Sequence, residues 1–486
     1  MMRVTESLRG NWIYKGWMNL LPRLDLALGI AVGVLIGLSL AVLGPALTVG
    51  IMAVLVYAVI LVKAPELPIL AILVFSSGLL PRYLNRFINL GIGNFQISDL
   101  ILLSLLGLTG FRIFAERGFH FRRTPLDLPV ILYCIAVFFG MYTAVSQYGI
   151  EFSYTTYEAR IMLSYSIFFA ITQLLRTPQQ IKRLVIGIFI IGLLVSTLLL
   201  LQVTTGFTIP FIPSLYFRAD RLSRAYHPGF YAVFITMMML VCYLANHRSS
   251  LRTLAIWAAV FVLGLSITIS LGRNIVFSTL IALAVLGILL KGKERHRLAL
   301  LLLAVILAAS SLFGVLKVLN PNSALLAYPR ALMGRLFNLV ETNPLSPEET
   351  LLWRVEETNY AWQHIERHPL VGIGLFNPYR PVFFIGDTLQ TYIHNGYLWV
   401  WLKTGLLGFI PFVVIIFGFI LHGFLKWRSV QDPFLRAIAL GAPLIIFAMT
   451  FSNTVAPIFI EGFNLAFFAV TIGIGESILA MKEDTQ

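Results

Sequence analysis

Charge is what this chain has least of. Of its 486 residues, 12% are Asp, Glu, Lys or Arg, about half of what a soluble domain uses to solvate its surface. With 58% hydrophobic residues and a mean hydropathy of +0.86, that shortage excludes a soluble enzyme and a disordered chain. Cysteine is nearly absent. The two present, Cys134 and Cys242, fall inside apolar runs near one face, so a disulfide scaffold is excluded and no outer-side disulfide is expected. No Gly-rich loop follows a strand pattern, which argues against a nucleotide ligand. Low-complexity tracts and sequence repeats are also missing. The first 23 residues carry no compact apolar core or small-residue cleavage site, so no signal peptide is expected and the first span is expected to direct insertion.

What the chain does have is long apolar runs. Fourteen are long enough to be read as crossings, at 24–43, 45–62, 66–80, 97–115, 127–146, 153–175, 181–201, 229–246, 253–271, 274–291, 296–316, 404–425, 433–452 and 459–481. The segment 66–80 is short for a span of about 20 residues, so the count is 12–14. The runs lack the alternation of barrel strands, and backbone in lipid must be satisfied internally, so they predict helices. The fold class is an all-α polytopic membrane protein. About eleven helices fall in 1–316, a large outer-side loop spans 317–395, and the last helices lie in 396–486.

Lys and Arg set the orientation. Every second short loop is basic, from Arg3, Arg9, Lys15 and Arg23 through Arg176, Lys182 and Arg183 to Lys426, Arg428 and Lys482. That side holds 22 basic and 10 acidic residues, the other 14 and 12. Both termini are therefore expected in the cytoplasm. Nearly all of the +14 net charge is this topogenic signal, so it gives no evidence for nucleic acid as a partner.

In the outer loop, Ser346-Pro347-Glu348-Glu349 reads as a helix start. The helix should run to about His368, before Pro369 and Gly372. Leu352, Val355, Trp362 and Ile365 form an apolar face; Arg354, Glu357, Ala361, His364 and His368 step along another. This predicts a surface helix over 347–368, lying on the outer membrane–water boundary.

Arginines break the positive-inside pattern. Twelve lie outside or near the outer end of a span, among them Arg160, Arg221, Arg224, Arg273 and Arg354, with only Lys317 and Lys403 beside them. A planar guanidinium fork pairs bidentately with phosphate, and its charge survives burial better than that of lysine. Arg160 lies about 10 Å into its span at the rise of a helix. Arg273 sits in a Gly272-Arg273-Asn274 break between two apolar segments. An intramembrane arginine must be paired or hydrated; Glu158, Asp99 and Glu461 are internal partners at that depth. An anion held by the set is the other reading, and at a membrane surface it would be a lipid-linked phosphate or pyrophosphate.

Four histidines are outer: His227, His364, His368 and His394. The pair His364 and His368 is spaced i,i+4 but has no third ligand in register, so a metal site is not indicated. His394 stands just before an apolar helix, between the loop and the tops of the spans. A neutral imidazole there suits removal of a proton from a sugar hydroxyl; a cap or structural hydrogen bond is the alternative.

Several pieces share an order and an outer placement. They are Trp353-Arg354…Trp362…His368-Pro369-Leu370-Val371-Gly372-Ile373-Gly374, then His394-Asn395-Gly396-Tyr397-Leu398, then Thr404-Gly405-Leu406-Leu407-Gly408. Together with Arg221…His227-Pro228-Gly229 and Ser270-Leu271-Gly272-Arg273 upstream, they resemble the signature of the bacterial O-antigen ligase and polymerase superfamily over about 215–410. The resemblance implies an inverting membrane glycosyltransferase at the periplasmic face of the bacterial cytoplasmic membrane. Its donor would be a glycan on undecaprenyl pyrophosphate, its acceptor lipid A-core or a lipid-linked repeat unit. It implies no metal ion, nucleotide sugar or other cofactor.

By the same resemblance His394 corresponds to the catalytic histidine, and Arg221, Arg273 and Arg354 to the pyrophosphate-binding arginines. The chain departs from the pattern at His227-Pro228-Gly229, and Arg224 stands where a small residue is expected, so either Arg221 or Arg224 fills that role. Arg160 matches no motif but could assist the same anion. Two rivals come from other classes. A transporter or flippase of lipid-linked sugars would favour midplane charges and related halves, whereas the intramembrane charges here lie toward the outer end. A non-catalytic scaffold of a polysaccharide assembly complex would tolerate replacement of His394.

Overall fold

The computed structural model describes residues 44–85, 87–89, 94–205, 216–217, 223–224, 228–247, 251–321, 323–337, 347–383, 387 and 389–481. The expected span 24–43, the loop residues Arg221 and His227, and the expected cap Ser346 lie outside these. Two units are distinguished, Met1–Ala64 and Pro65–Gln486. Of the first, the described part is helix α1 (Pro45–Lys63), with Pro at its first turn and Lys63 in its last. Only 6% of its apolar window is buried, as for a helix meant to be solvated by lipid.

The second unit is helical almost throughout. Its first half contains α2 (Glu66–Ser76), the two-residue strands β1 (Ile88–Asn89) and β2 (Asn94–Phe95), then α3 (Ile97–Ala115) and α4 (Asp127–Tyr148). There follow α5 (Phe152–Met162), α6 (Ile167–Leu174), α7 (Pro178–Thr205), and strands β3 (Tyr216–Phe217) and β4 (Ser223–Arg224). Helices α8 (Phe230–Asn246), α9 (Leu251–Ile269), α10 (Arg273–Leu289) and α11 (Gly292–Leu319) come next. The last are α12 (Ala327–Phe337), α13 (Pro347–Arg367), α14 (Gly396–Lys426), α15 (Pro433–Ser452) and α16 (Gly462–Ala480). Each strand pair is an antiparallel clip of two residues per strand.

Among the described residues, seven helices (α1, α3, α4, α7, α11, α14 and α15) are long and apolar enough to cross a membrane. Five further apolar helices, α2, α8, α9, α10 and α16, are shorter. This is an all-α membrane protein. The run 153–175, read in the sequence as one span, consists of α5 and α6 joined through a 3₁₀ turn at Leu163–Ser166 whose flanking residues Met162 and Ile167 keep right-handed helical backbone. The segment is rich in Ser and Thr, whose hydroxyls bond back to preceding carbonyls; Ser164 Oγ donates to Arg160 O at 3.2 Å, and such back-bonding bends helices.

The centre is made by α8, α15 and α16. Nearly every described residue of α8 is buried, and 78% of the apolar window of α15 is, against 11% for α11. A helix apolar all round and buried is a core helix; one apolar all round and exposed needs a non-aqueous solvent. Between helices in lipid, close van der Waals fit replaces the water-driven term. Gly423 against Pro443 and Gly475 against Phe419 leave no room for a Cβ.

Polar contacts collect at the two ends of this unit. At one, Lys182 pairs with Asp432 at 2.5 Å and Arg183 with Glu66 at 3.1 Å, while Arg428 reaches Glu294 at 3.6 Å. At the other, the starts of α10 and α14 meet the end of α15. Ser452 Oγ donates to Asn274 O at 3.2 Å, and Gly396 N–H donates to Asn453 O at 2.8 Å.

Candidate active site

Two of the motif segments lock together at that second end. Ile373 N–H donates to Leu402 O (2.8 Å), Leu406 N–H to Pro369 O (2.9 Å) and Leu407 N–H to Leu370 O (3.2 Å). This approach needs Gly405, which is left-handed (φ 64°) and interrupts α14. A Cβ on Gly405 would overlap the Leu370 carbonyl, and one on Gly372 (φ 68°) the backbone of Leu402–Gly405. A residue with a Cβ pays both for φ > 0 and for the lost space. The kink places the first turns of α14 under the end of α13, where Ala361, Ile365, Ile373, Tyr379, Ile393 and Leu402 form a buried apolar cluster.

The His394-Asn395-Gly396-Tyr397-Leu398 motif then divides by role. Asn395 caps α14, its side chain accepting from Tyr397 N–H at 3.0 Å and Leu398 N–H at 3.2 Å, which satisfies two donors of the helix start. Gly396 lets Asn453 come close, and Tyr397 OH donates to Thr450 O at 3.1 Å. The capping role considered for His394 therefore falls to its neighbour.

His394 is held by one side chain. Its Nδ1 lies 2.8 Å from Glu357 Oε2 on α13, and its backbone N–H donates to the same oxygen at 3.4 Å. A carboxylate can only accept, so Nδ1 carries a proton, and in the neutral ring Nε2 carries the lone pair. Among the described residues Nε2 has no hydrogen-bond partner. The imidazole is 36% exposed while Glu357 is 5% exposed. Behind Glu357 stands Arg380 at 3.8 Å, itself bonded to Asp387 at 2.5 Å. The Arg380 guanidinium beside Asp387, aided by the Phe383 and Leu389 amides, holds that carboxyl down at about 2. The chain of contacts His394–Glu357–Arg380–Asp387 holds the imidazole by Nδ1 alone.

The arginines separate into three groups. Arg354 is one turn before Glu357 on α13; its Nε is buried and has no hydrogen-bond partner among the described residues. Arg273 is the first residue of α10, following a turn in which Leu271 is left-handed (φ 50°) and Ser270 Oγ accepts from Gly272 N–H at 3.2 Å. That helix start is tied through Asn274, Ser452 and Asn453 to Gly396, two residues from His394. Arg224 lies in β4, and Arg221 is outside the described residues. Arg160 has an internal partner: Nη1 is 3.1 Å from Asp99 Oδ2 and 2.9 Å from Gln96 Oε1. Its guanidinium also lies 4.8 Å from the Phe87 ring and 5.0 Å from that of Tyr157.

Of the other histidines singled out in the sequence, His227 is outside the described residues, and His364 and His368 have structural contacts. His364 Nε2 is 3.1 Å from Tyr379 O, and burial lowers its pKa from the ordinary value. His368 meets Tyr148 edge-on at 6.3 Å. On α13, Leu352, Val355 and Trp362 are exposed but Ile365 is buried. The face carrying Glu357 and Ala361, polar by sequence, is the one packed against protein.

Beside this site is a cavity of about 570 Å³. Tyr392 lines it, its ring 5.1 Å from the His394 ring and 5.2 Å from Trp399. Glu158 builds the wall between, accepting from the Trp399 indole and the Phe376 amide. Sequence reasoning gave Glu357 and Asp387 no role and counted Arg380 only among the twelve arginines that break the positive-inside pattern, whereas here it pairs with Asp387. The signal for Glu357 was present: it shares a helical face with Arg354 at i,i+3. Nothing in sequence joins Arg380 and Asp387 to it.

Fold and site together describe a polytopic helical membrane protein with a carboxylate-oriented histidine at one end of its bundle. Residues 232–413 match the family model described as O-antigen ligase, a stretch from α8 to α14 that includes Arg273, Arg354, Glu357, Arg380, Asp387 and His394. This supports the O-antigen ligase and polymerase superfamily, and with it glycosyl transfer of that general type on lipid-linked glycans in a membrane. No curated protein matches the chain.

Proposed function

We propose that this protein is an inverting glycosyltransferase that moves a glycan from undecaprenyl pyrophosphate to a sugar hydroxyl on the outer face of the bacterial cytoplasmic membrane. The acceptor is lipid A-core (a ligase) or another lipid-linked repeat unit (a polymerase). The observation that carries the reading is the 2.8 Å contact of His394 Nδ1 with Glu357, which leaves Nε2 as the base.

In the step, His394 Nε2 takes the acceptor's hydroxyl proton as that oxygen bonds to the anomeric carbon. The bond from that carbon to the pyrophosphate oxygen breaks on the opposite side, and the oxygen keeps the electron pair. Glu357 stabilises the imidazolium that forms. Arg273, Arg354 and either Arg221 or Arg224 receive the growing charge on pyrophosphate, which preorganised donors stabilise most at the transition state. No metal or other cofactor enters the step. Arg160, paired with Asp99, is assigned at most an indirect part in holding that anion. The fourteen crossings, cytoplasmic termini and outer active site belong to the same reading, and the exposed Leu352, Val355 and Trp362 of α13 suit the membrane boundary.

The test is a reaction of purified protein in detergent with polyprenyl-pyrophosphate oligosaccharide, offering both acceptors, with native protein and His394→Ala. A ladder of lengths identifies a polymerase; a single addition to lipid A-core identifies a ligase. Undiminished product from folded His394→Ala overturns the role of His394.

A further inference from the structure

We propose that the cavity beside His394 is the acceptor subsite, holding an uncharged sugar portion of the acceptor, while the pyrophosphate of the donor binds elsewhere on the arginines. The proposal rests on the transferase reading and assigns one substrate to one place.

The charge of the lining decides against an anion. It carries three carboxylates, Asp99, Glu158 and Glu461, against one guanidinium, Arg160. One nitrogen of that guanidinium, Nη1, is already bonded to Asp99 at 3.1 Å. A pyrophosphate placed here would face a net negative wall, whereas sugar hydroxyls donate to carboxylates and meet no such repulsion.

The shape and remaining chemistry favour a sugar. Tyr157, Phe376, Tyr392 and Trp399 present aromatic surface along the cavity, which suits the C–H faces of a pyranose. Glu158 fixes two of the four by accepting from the Trp399 indole and the Phe376 backbone, so the wall is preorganised rather than assembled by the ligand. Leu102, Ile167 and Ala466 add apolar surface to the same lining. The volume of about 570 Å³ is in the range of sites that take small molecules, about 300–1,000 Å³. Concave, mostly apolar walls with a few placed polar groups are the usual make-up of such sites.

The position matches the chemistry. Tyr392 lines the cavity and touches the His394 ring edge-on at 5.1 Å, and Glu461 is within electrostatic reach of His394. A sugar in the cavity can present one hydroxyl past Tyr392 toward Nε2. The pyrophosphate arginines Arg273 and Arg354 are not among the residues that line it, so donor and acceptor approach the base from different surroundings.

The experiment uses the full chain in detergent and two probes without lipid: delipidated lipid A-core oligosaccharide and free repeat-unit oligosaccharide. Undecaprenyl pyrophosphate is the third. Binding is read by saturation-transfer NMR, and acceptor and donor KM are measured separately. The variants are Glu461→Gln, which removes a charged acceptor at constant shape, and Ser164→Tyr, which fills the cavity from α5–α6. The expected result is one oligosaccharide bound about tenfold more weakly by Glu461→Gln, the loss from exchanging a charged for a neutral hydrogen bond, and not bound by Ser164→Tyr. Acceptor KM rises in step while donor KM holds. Should Ser164→Tyr not fold, Glu461→Gln decides alone.

If transfer proceeds with acceptor KM and oligosaccharide binding unmoved by the folded variants, the subsite is overturned and the transferase reading stands. A weakened undecaprenyl pyrophosphate or donor with an unchanged acceptor likewise overturns it, placing the donor in the cavity. Variant-sensitive oligosaccharide binding without transfer by native protein supports the sugar site and removes the transferase reading.

Discussion

Glu357 Oε2 lies 2.8 Å from His394 Nδ1 across 37 residues of sequence, and it is the buried member of the pair, 5% exposed against 36%. In the proposed step the exposed partner acts as the base and the buried one sets its tautomer. Removing His394 as His394→Ala should lower the transfer rate by about 10²–10⁴, the usual worth of a positioned acid–base group. Glu357→Gln should also slow transfer strongly while donor KM stays near native. The amide can donate to Nδ1 and so turn the imidazole's proton to Nε2, the wrong nitrogen for a base. Rates at saturating donor and acceptor check both; a native rate in Glu357→Gln would detach Glu357 from the mechanism.

The arginines should fail differently. Arg273→Ala and Arg354→Ala should each cost about 10²–10³ in rate, the scale of a lost transition-state charge donor. Lysine should restore only part, since it lacks the planar fork. Arg221→Ala and Arg224→Ala, compared in the same assay, should show one large and one small effect. Parallel melting curves separate folding from catalysis.

Chelation supplies a direct check on the cofactor-free step. Transfer by protein treated with EDTA and assayed in metal-free buffer should equal the untreated rate. A loss restored by a divalent cation would require a metal in the step.

Asp387 gives a pH dependence with a defined sign. Its carboxyl is held at about 2, below the ordinary 3.8. A depressed acid contributes stability that is fully present above its unfolded value and is lost as pH falls through its folded one. The Arg380–Asp387 tie should therefore hold from neutrality to about pH 4 and weaken between about pH 4 and pH 2. The Phe383 and Leu389 amides donate to Asp387, so their hydrogen exchange, corrected for intrinsic rate, should accelerate in that window. Asp387→Ala should open the segment at neutral pH, because breaking one side of a buried pair costs about 3–5 kcal/mol.

Gly405 and Gly107 make a matched pair for stability. Gly405→Ala must place a Cβ at φ 64° against the Leu370 carbonyl, and should lower the melting temperature clearly; left-handed strain alone costs about 1–3 kcal/mol. A Cβ on Gly107 meets nothing within 4 Å, so Gly107→Ala should leave the midpoint unchanged or raise it, helix propensity favouring alanine.

The sequence by itself determined the class, because the shortage of charge and the length of the apolar runs are properties of each segment alone. For the same reason it could mark His394, Arg273 and Arg354 as costly or unusual placements, and the end of α13 (Pro347–Arg367) follows local helix-stop chemistry. The 3₁₀ turn that joins α5 to α6 within the run 153–175 was hidden, since hydropathy averages over the Ser and Thr hydroxyls there. Only the tertiary structure decided what each marked residue touches. It joined Glu357 to His394 and Arg380 to Asp387, tied Arg160 to Asp99, and turned the polar-looking face of α13 inward. The left-handed turns at Gly372 and Gly405 likewise bring residues 369–373 within hydrogen-bond distance of 402–407, some thirty positions on. A hydropathy profile records the polarity of each residue but not its partner, and at this site the partner sets the chemistry.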